Sequence, residues 1–157
     1  MTPTLTVTRT SILALLFALA VPWAGGAADP TPRTITIVAG DEMKYSVTEI
    51  TAKRGERLRV VLIARGTVPK AAMAHNLILL AKGTDPAAFV KASALARDTG
   101  FIAPALAKQV LASTRLAGKG ESVTVVFDAP KAAGRYDYVC SFPGHFLNGM
   151  RGVLVVK

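Results

Sequence analysis

Tyr136-Asp137-Tyr138-Val139-Cys140-Ser141-Phe142-Pro143-Gly144-His145-Phe146-Leu147-Asn148-Gly149-Met150-Arg151-Gly152-Val153-Leu154-Val155-Val156 holds two strand-like runs joined by a short loop. Tyr136, Tyr138 and Cys140 alternate, so a strand puts all three on one face, where core packing is the simplest use of the two tyrosines. Residues 152–156 are almost wholly β-branched or aliphatic and read as a closing strand. The loop between the runs collects the scarcest residues of the chain: its only cysteine, one of its 2 histidines and one of its 4 methionines, spaced Cys-x4-His-x4-Met. The other histidine, His75, opens a third apolar run at residues 75–80.

Working outward, more strands follow from alternation and β-branched content. Candidates are residues 34–38, 49–52, 58–64 and 122–127, each bounded by Gly, Asp or Pro. One stretch breaks the rhythm. Asp85 is placed to cap a helix with Pro86 at its first position, and the apolar spacing continues to about Arg97; residues 102–111 suggest a further turn or two. The expectation is an all-β, Greek-key sandwich of about eight strands with a helical insert at about 85–111. No repeat, low-complexity tract or second domain is visible.

The first 28 residues read as an export leader: Arg9, a ten-residue apolar run at 12–21, then Ala24-Gly25-Gly26-Ala27-Ala28. Ten residues are too few to span a bilayer, which takes about 20. Cleavage after Ala27 or Ala28 leaves a domain of residues 29–157, expected in the periplasm with no stable membrane insertion. Of the 157 residues 51% are hydrophobic and 18% charged, which excludes a disordered chain, and a domain near this size buries about two-thirds of its unfolded surface. One cysteine excludes an internal disulfide and a Cys-rich zinc module. The formal net charge of +9 does not point to nucleic acid, because no basic helix or aromatic ladder accompanies it. Lys53, Arg54, Arg57 and Arg59 read as a solvated face, while Lys70 and Arg151 stand nearer the scarce residues and suit docking.

The chemistry of those residues is specific. Two imidazoles and one thiolate with a distant thioether suit a copper ion cycling between Cu(I) and Cu(II). Zinc prefers four strong ligands. A short loop delivers Cys140, His145 and Met150 at low entropic cost, and His75 must come from a strand packed beside it. With both histidines so used, no Ser/His/Asp set can be built, and no enzymatic activity is expected.

Cys140-Ser141-Phe142-Pro143-Gly144-His145 with Met150, together with Met73-Ala74-His75-Asn76, resembles the azurin and auracyanin branch of the cupredoxins. Residues 39–45 and 120–128 are similar to the family's first-strand exit and to the strand before its ligand hairpin. The resemblance implies a type 1 (blue) copper site with His75, Cys140 and His145 as ligands and Met150 axial. It implies a weak axial carbonyl from Ala74, where azurins usually have Gly, and a side chain at Asn76 that ties the His strand to the Cys loop. It further implies an apolar docking patch around the second histidine, here Val68, Ala72, Met73, Phe142, Pro143, Gly144 and Leu147. Four residues separate His145 from Met150, as in auracyanin-like proteins, where azurins usually have three. The function implied is single-electron transfer by a monomer between periplasmic redox proteins, such as c-type cytochromes or copper or haem oxidoreductases. A copper storage or delivery protein using the same ligands is the alternative.

Overall fold

The computed structural model describes Met1 and residues 31–157. The proposed leader lies outside the described residues. Eight strands form two sheets: β1 (Arg33–Ala39), β2 (Glu49–Ala52), β3 (Arg57–Ala64), β4 (Ile78–Leu80), β5 (Val110–Ser113), β6 (Ser122–Asp128), β7 (Gly134–Val139) and β8 (Arg151–Val156). One sheet has the order β1-β3-β6, the other β2-β8-β7-β4-β5. The chain alternates between the sheets over β1 to β4 and changes sheet again on either side of β6, while β4–β5 and β7–β8 are neighbours within the second sheet; β1 runs parallel to β3 and β2 parallel to β8, and the remaining pairs are antiparallel. This is an open β-sandwich.

Alternation sets which side chains meet between the sheets. Leu58, Val60, Leu62 and Ala64 point inward from β3, and Tyr136 and Tyr138 from β7 join Leu154 and Val156 of β8 in the same core, Tyr136 opposite Leu154 and Tyr138 opposite Gly152. Cys140 and Met150 belong to this cluster, so the loop ligands rest on the main core. Strand β4 is buried at all three positions. Its second face is covered by helix α1 (Pro86–Ser93), whose Phe89 packs with Ile78, Leu80 and Val139 in a smaller cluster. The helix starts as its sequence dictates: the Asp85 carboxylate accepts the Ala87 N–H at 2.9 Å and the Ala88 N–H at 3.4 Å, with Pro86 in the first turn.

Two boundaries differ from expectation. The helical insert ends earlier: after α1 come 3-10 turns at Arg97–Thr99 and Pro104–Gln109, and Val110 and Leu111 belong to β5. The sheet overrides local propensity here, because β4 has a free edge and β5 pairs along it. Strand β4 also starts later than His75, which forms an isolated bridge to Ala117 with N···O distances of 2.8 Å in both directions. The expected basic face is solvated: Lys53, Arg54 and Arg59 are exposed. Arg57 is half-buried and meets Asp128 at 3.3 Å.

Candidate metal centre

The site is assembled by loops at one end of the sandwich. His75 precedes β4, and Cys140 is the first residue after β7. From there the chain turns back to β8 through two glycines in the left-handed region, Gly144 (φ 86°) and Gly149 (φ 85°), where side-chain-bearing residues are disfavoured. Backbone bonds close the loop: the Cys140 N–H donates to Met150 C=O at 3.1 Å, and the Met150 N–H to His145 C=O at 3.0 Å. Met150 and Cys140 are both fully buried.

Ligand atoms of His75, Cys140 and His145 lie within 4.8 Å of one another, the one such grouping of three among the described residues. Cys140 Sγ is 3.4 Å from His145 Nδ1, and the two imidazoles stand 4.9 Å apart. Nδ1 of His75 is buried and has no hydrogen-bond partner. An orphaned imidazole nitrogen beside a buried sulfur and a second imidazole costs free energy unless something binds it. Two imidazoles, a thiol and a buried thioether make a donor set that fits copper.

Without metal, burial keeps all these groups neutral. It lowers the pKa of both histidines, that of His145 to about 4 with a smaller push from His75, and it raises the Cys140 thiol to about 12. Both imidazoles titrate below their ordinary value of 6.5, so unfolding takes up protons as pH falls from there towards about 4. Their contribution to stability is present above pH 6.5 and disappears across that window. The metal-free protein is therefore expected to lose about 1–2 kcal/mol between pH 7 and pH 5. Denaturant melts at the two pH values check this; equal midpoints would contradict it. The carboxylates held low by hydrogen bonds, Asp41, Glu56 and Glu121, come into play only at lower pH.

Asn76 joins the two halves of the site. Its Oδ1 accepts the Ser141 N–H at 2.9 Å, and its Nδ2 donates to Ser141 Oγ at 3.0 Å and to Gly100 C=O at 2.9 Å. Asn76 and Ser141 are both buried, so Asn76→Ala leaves a buried N–H and a carbonyl without partners. We expect a loss of about 2–4 kcal/mol in chemical denaturation and about 10- to 100-fold in copper affinity. Unchanged affinity in a competition titration would remove Asn76 from the support of the site. Gly100 lies in the helical insert, a link that no residue pattern announces. Tyr45 Oη, donating to the Asn76 carbonyl, was equally unmarked.

Ala74 is buried beside His75. Of the apolar residues expected to surround His145, Ala72, Pro143, Gly144 and Leu147 are exposed, and Val68, Met73 and Phe142 are half-buried. Two hollows meet at Pro143: Ala72 and Phe142 line one with Leu95, and Gly144 and Leu147 line the other, of about 370 Å³, with Val90. Val68 and Met73 line neither. Leu95 and Val90 come from the helical segment and were not anticipated, although Leu95 is 97% and Leu147 88% exposed. His145 itself is only 1% exposed. Phe142 covers it with ring centroids 4.8 Å apart, and Phe101 packs edge-on against Phe142 at 5.3 Å. The His145 ring thus lies beneath the apolar surface that surrounds it. Of the two cations expected to serve docking, Lys70 is held by Glu121 at 2.7 Å, and Arg151 stacks over Phe146 at 5.5 Å.

Comparison with known proteins agrees with this geometry. Residues 33–157 match the model of the copper binding proteins of the plastocyanin/azurin family. Azurin iso-2 of Methylomonas sp. (strain J) is 37% identical over 126 residues, covering 78% of this chain and 95% of that protein. Outer membrane protein H.8 of Neisseria meningitidis serogroup B (strain ATCC BAA-335 / MC58) is 36% identical over 118 residues, 73% of this chain; the match spans 63% of that longer relative. The solved structure of auracyanin A, a "blue" copper protein from Chloroflexus aurantiacus, superposes with a TM-score of 0.68 at 32% identity, covering 81% of this chain and 100% of that one. With His75, Cys140, His145 and Met150 arranged as copper ligands on an azurin- and auracyanin-like sandwich, the chain belongs to the plastocyanin/azurin family of copper-binding proteins.

Proposed function

We propose that the protein carries single electrons between redox partners in the periplasm, with no catalysis of its own. The observation that carries this reading is the buried His75–Cys140–His145 grouping, whose ligand atoms lie within 4.8 Å of one another. Bound there, copper supplies a one-electron Cu(I)/Cu(II) couple. The polypeptide supplies the rest. His75 is fixed by its bridge to Ala117, Cys140 by its backbone bond to Met150, and both segments by Asn76. A frame held this way does not rearrange when the charge of its contents changes. Met150 and the Ala74 carbonyl would add weaker donors beside these three when copper is held there.

His145 is the ligand assigned to electron entry and exit. Its chain neighbours Gly144 and Leu147, with Phe142, Pro143, Ala72 and Leu95, form an apolar surface that suits brief encounters with another redox protein. Val68 and Met73 line neither of its hollows. Partners of the class of c-type cytochromes or copper or haem oxidoreductases fit such a surface, and the chain acts as a monomer. Periplasmic placement is supported by the leader-like residues 1–28, and an envelope relative carries the name outer membrane protein H.8. No helix among the described residues is long and apolar enough to cross a membrane.

Copper storage or delivery needs the same ligands and makes the opposite electrochemical statement. Voltammetry of the copper-loaded protein decides between them. Electron transfer predicts a reversible one-electron wave at modest scan rates. Tight Cu(I) binding with no reversible wave favours storage.

A further inference from the structure

Three consecutive residues between β1 and β2 reach both ligand-bearing segments. Met43 sits at φ 54°, a left-handed conformation uncommon for a residue with a side chain. Such a kink persists only where its surroundings impose it, and it is more frequent at functional sites. Here it divides the segment between two neighbours. Tyr45 Oη donates to the carbonyl of Asn76, on the His75 side. Lys44 Nζ donates to the carbonyl of Asn148, on the Met150 side, and Asn148 Nδ2 approaches Met43 Sδ at 3.7 Å while donating to Gly144 C=O at 2.9 Å. The ammonium lies directly on the turn: a methyl group added at Gly149 would stand 2.7 Å from Lys44 Nζ.

Gly149 immediately precedes Met150, and Asn148 and Gly149 belong to the four-residue span between His145 and Met150. The turn they form therefore helps set where the buried Met150 side chain enters the core. We infer that Lys44 is a positioning residue for the Met150 limb of the copper site, pinning the Asn148–Gly149 turn and placing a fixed positive charge beside it that favours the less charged Cu(I) state. This rests on the electron-transfer reading above. Lys44 is exposed, so water screens its charge, and the expected bias between the two copper states is about three- to tenfold.

The test compares Lys44→Met, Lys44→Arg and, as a control for net charge, Lys53→Met at the opposite end of the sandwich. In the metal-free protein, amide exchange at Gly149 and Met150, whose N–H groups donate to Phe146 and His145 carbonyls, is expected to quicken about tenfold in Lys44→Met. In the copper-loaded protein the ratio of Cu(I) to Cu(II) affinity falls in the same variant; a tenfold fall is a potential lowered by about 59 mV. Lys44→Arg restores both readouts, and Lys53→Met moves neither. An unmoved exchange rate or an unmoved potential in Lys44→Met overturns the inference, as does an equal response in Lys53→Met. The exchange arm needs no metal, so failure of the chain to take up copper would refute the electron-transfer reading without touching that result.

Discussion

The copper-loaded Cys140→Ser variant is expected to lose the intense visible absorption of the parent and at least about a hundredfold in copper affinity, more than the 10- to 100-fold typical of losing an outer contact. The reason is that Cys140 is the sole thiol in the chain and lies at the bottom of the site, fully buried. A thiolate donates charge to Cu(II) at visible wavelengths; a serine hydroxyl does not. Burial raises the free thiol to about 12, so at neutral pH the metal-free protein carries a proton there that copper must displace. Serine is nearly the same size and fits the same space, so the fold survives and the effect is confined to the site. Retained colour in a folded Cys140→Ser protein would take the sulfur out of the copper's coordination.

His145→Gly is expected to have the second largest effect. The ring occupies a slot between His75, 4.9 Å away, and Phe142, 4.8 Å away. Glycine at this position empties the slot without disturbing the backbone bonds at either end of the loop. Copper should still bind through His75 and Cys140, with an altered spectrum, and added imidazole should enter the slot and return the parent spectrum. Because His145 is only 1% exposed and Phe142 packs against its ring, entry requires Phe142 to move aside, so recovery should be slow, and faster in a Phe142→Ala background. A variant that keeps the parent spectrum with no imidazole would show that His145 is not a ligand.

How much of this was legible beforehand depended on whether a feature is local. Cys140, His145 and Met150 could be read because three rare residue types share one loop, and β3, β6 and β7 because alternation of period two leaves a mark on sequence. Strand β5 left none: Val110–Ser113 is short, follows a 3-10 turn, and is a strand because the free edge of β4 receives it. The burial of His145 depends on Phe101 and Phe142 meeting across 41 residues of chain, and the Asn76–Gly100 bond on where the helical insert lands. Lys44 reads as one more surface cation until the Asn148 carbonyl is found beneath it. Ligand identity belongs to local chemistry; depth, covering and the outer contacts belong to tertiary packing.

The central claim is that two imidazoles and a thiolate close on one redox-active copper ion. The visible spectrum of the oxidised, copper-loaded protein, recorded together with its electron paramagnetic resonance, tests it most directly. The account predicts an intense visible band that bleaches on reduction in step with loss of a single Cu(II) signal at one copper per chain. A Cu(II) signal unaccompanied by that band would mean copper bound without Cys140, and would contradict it.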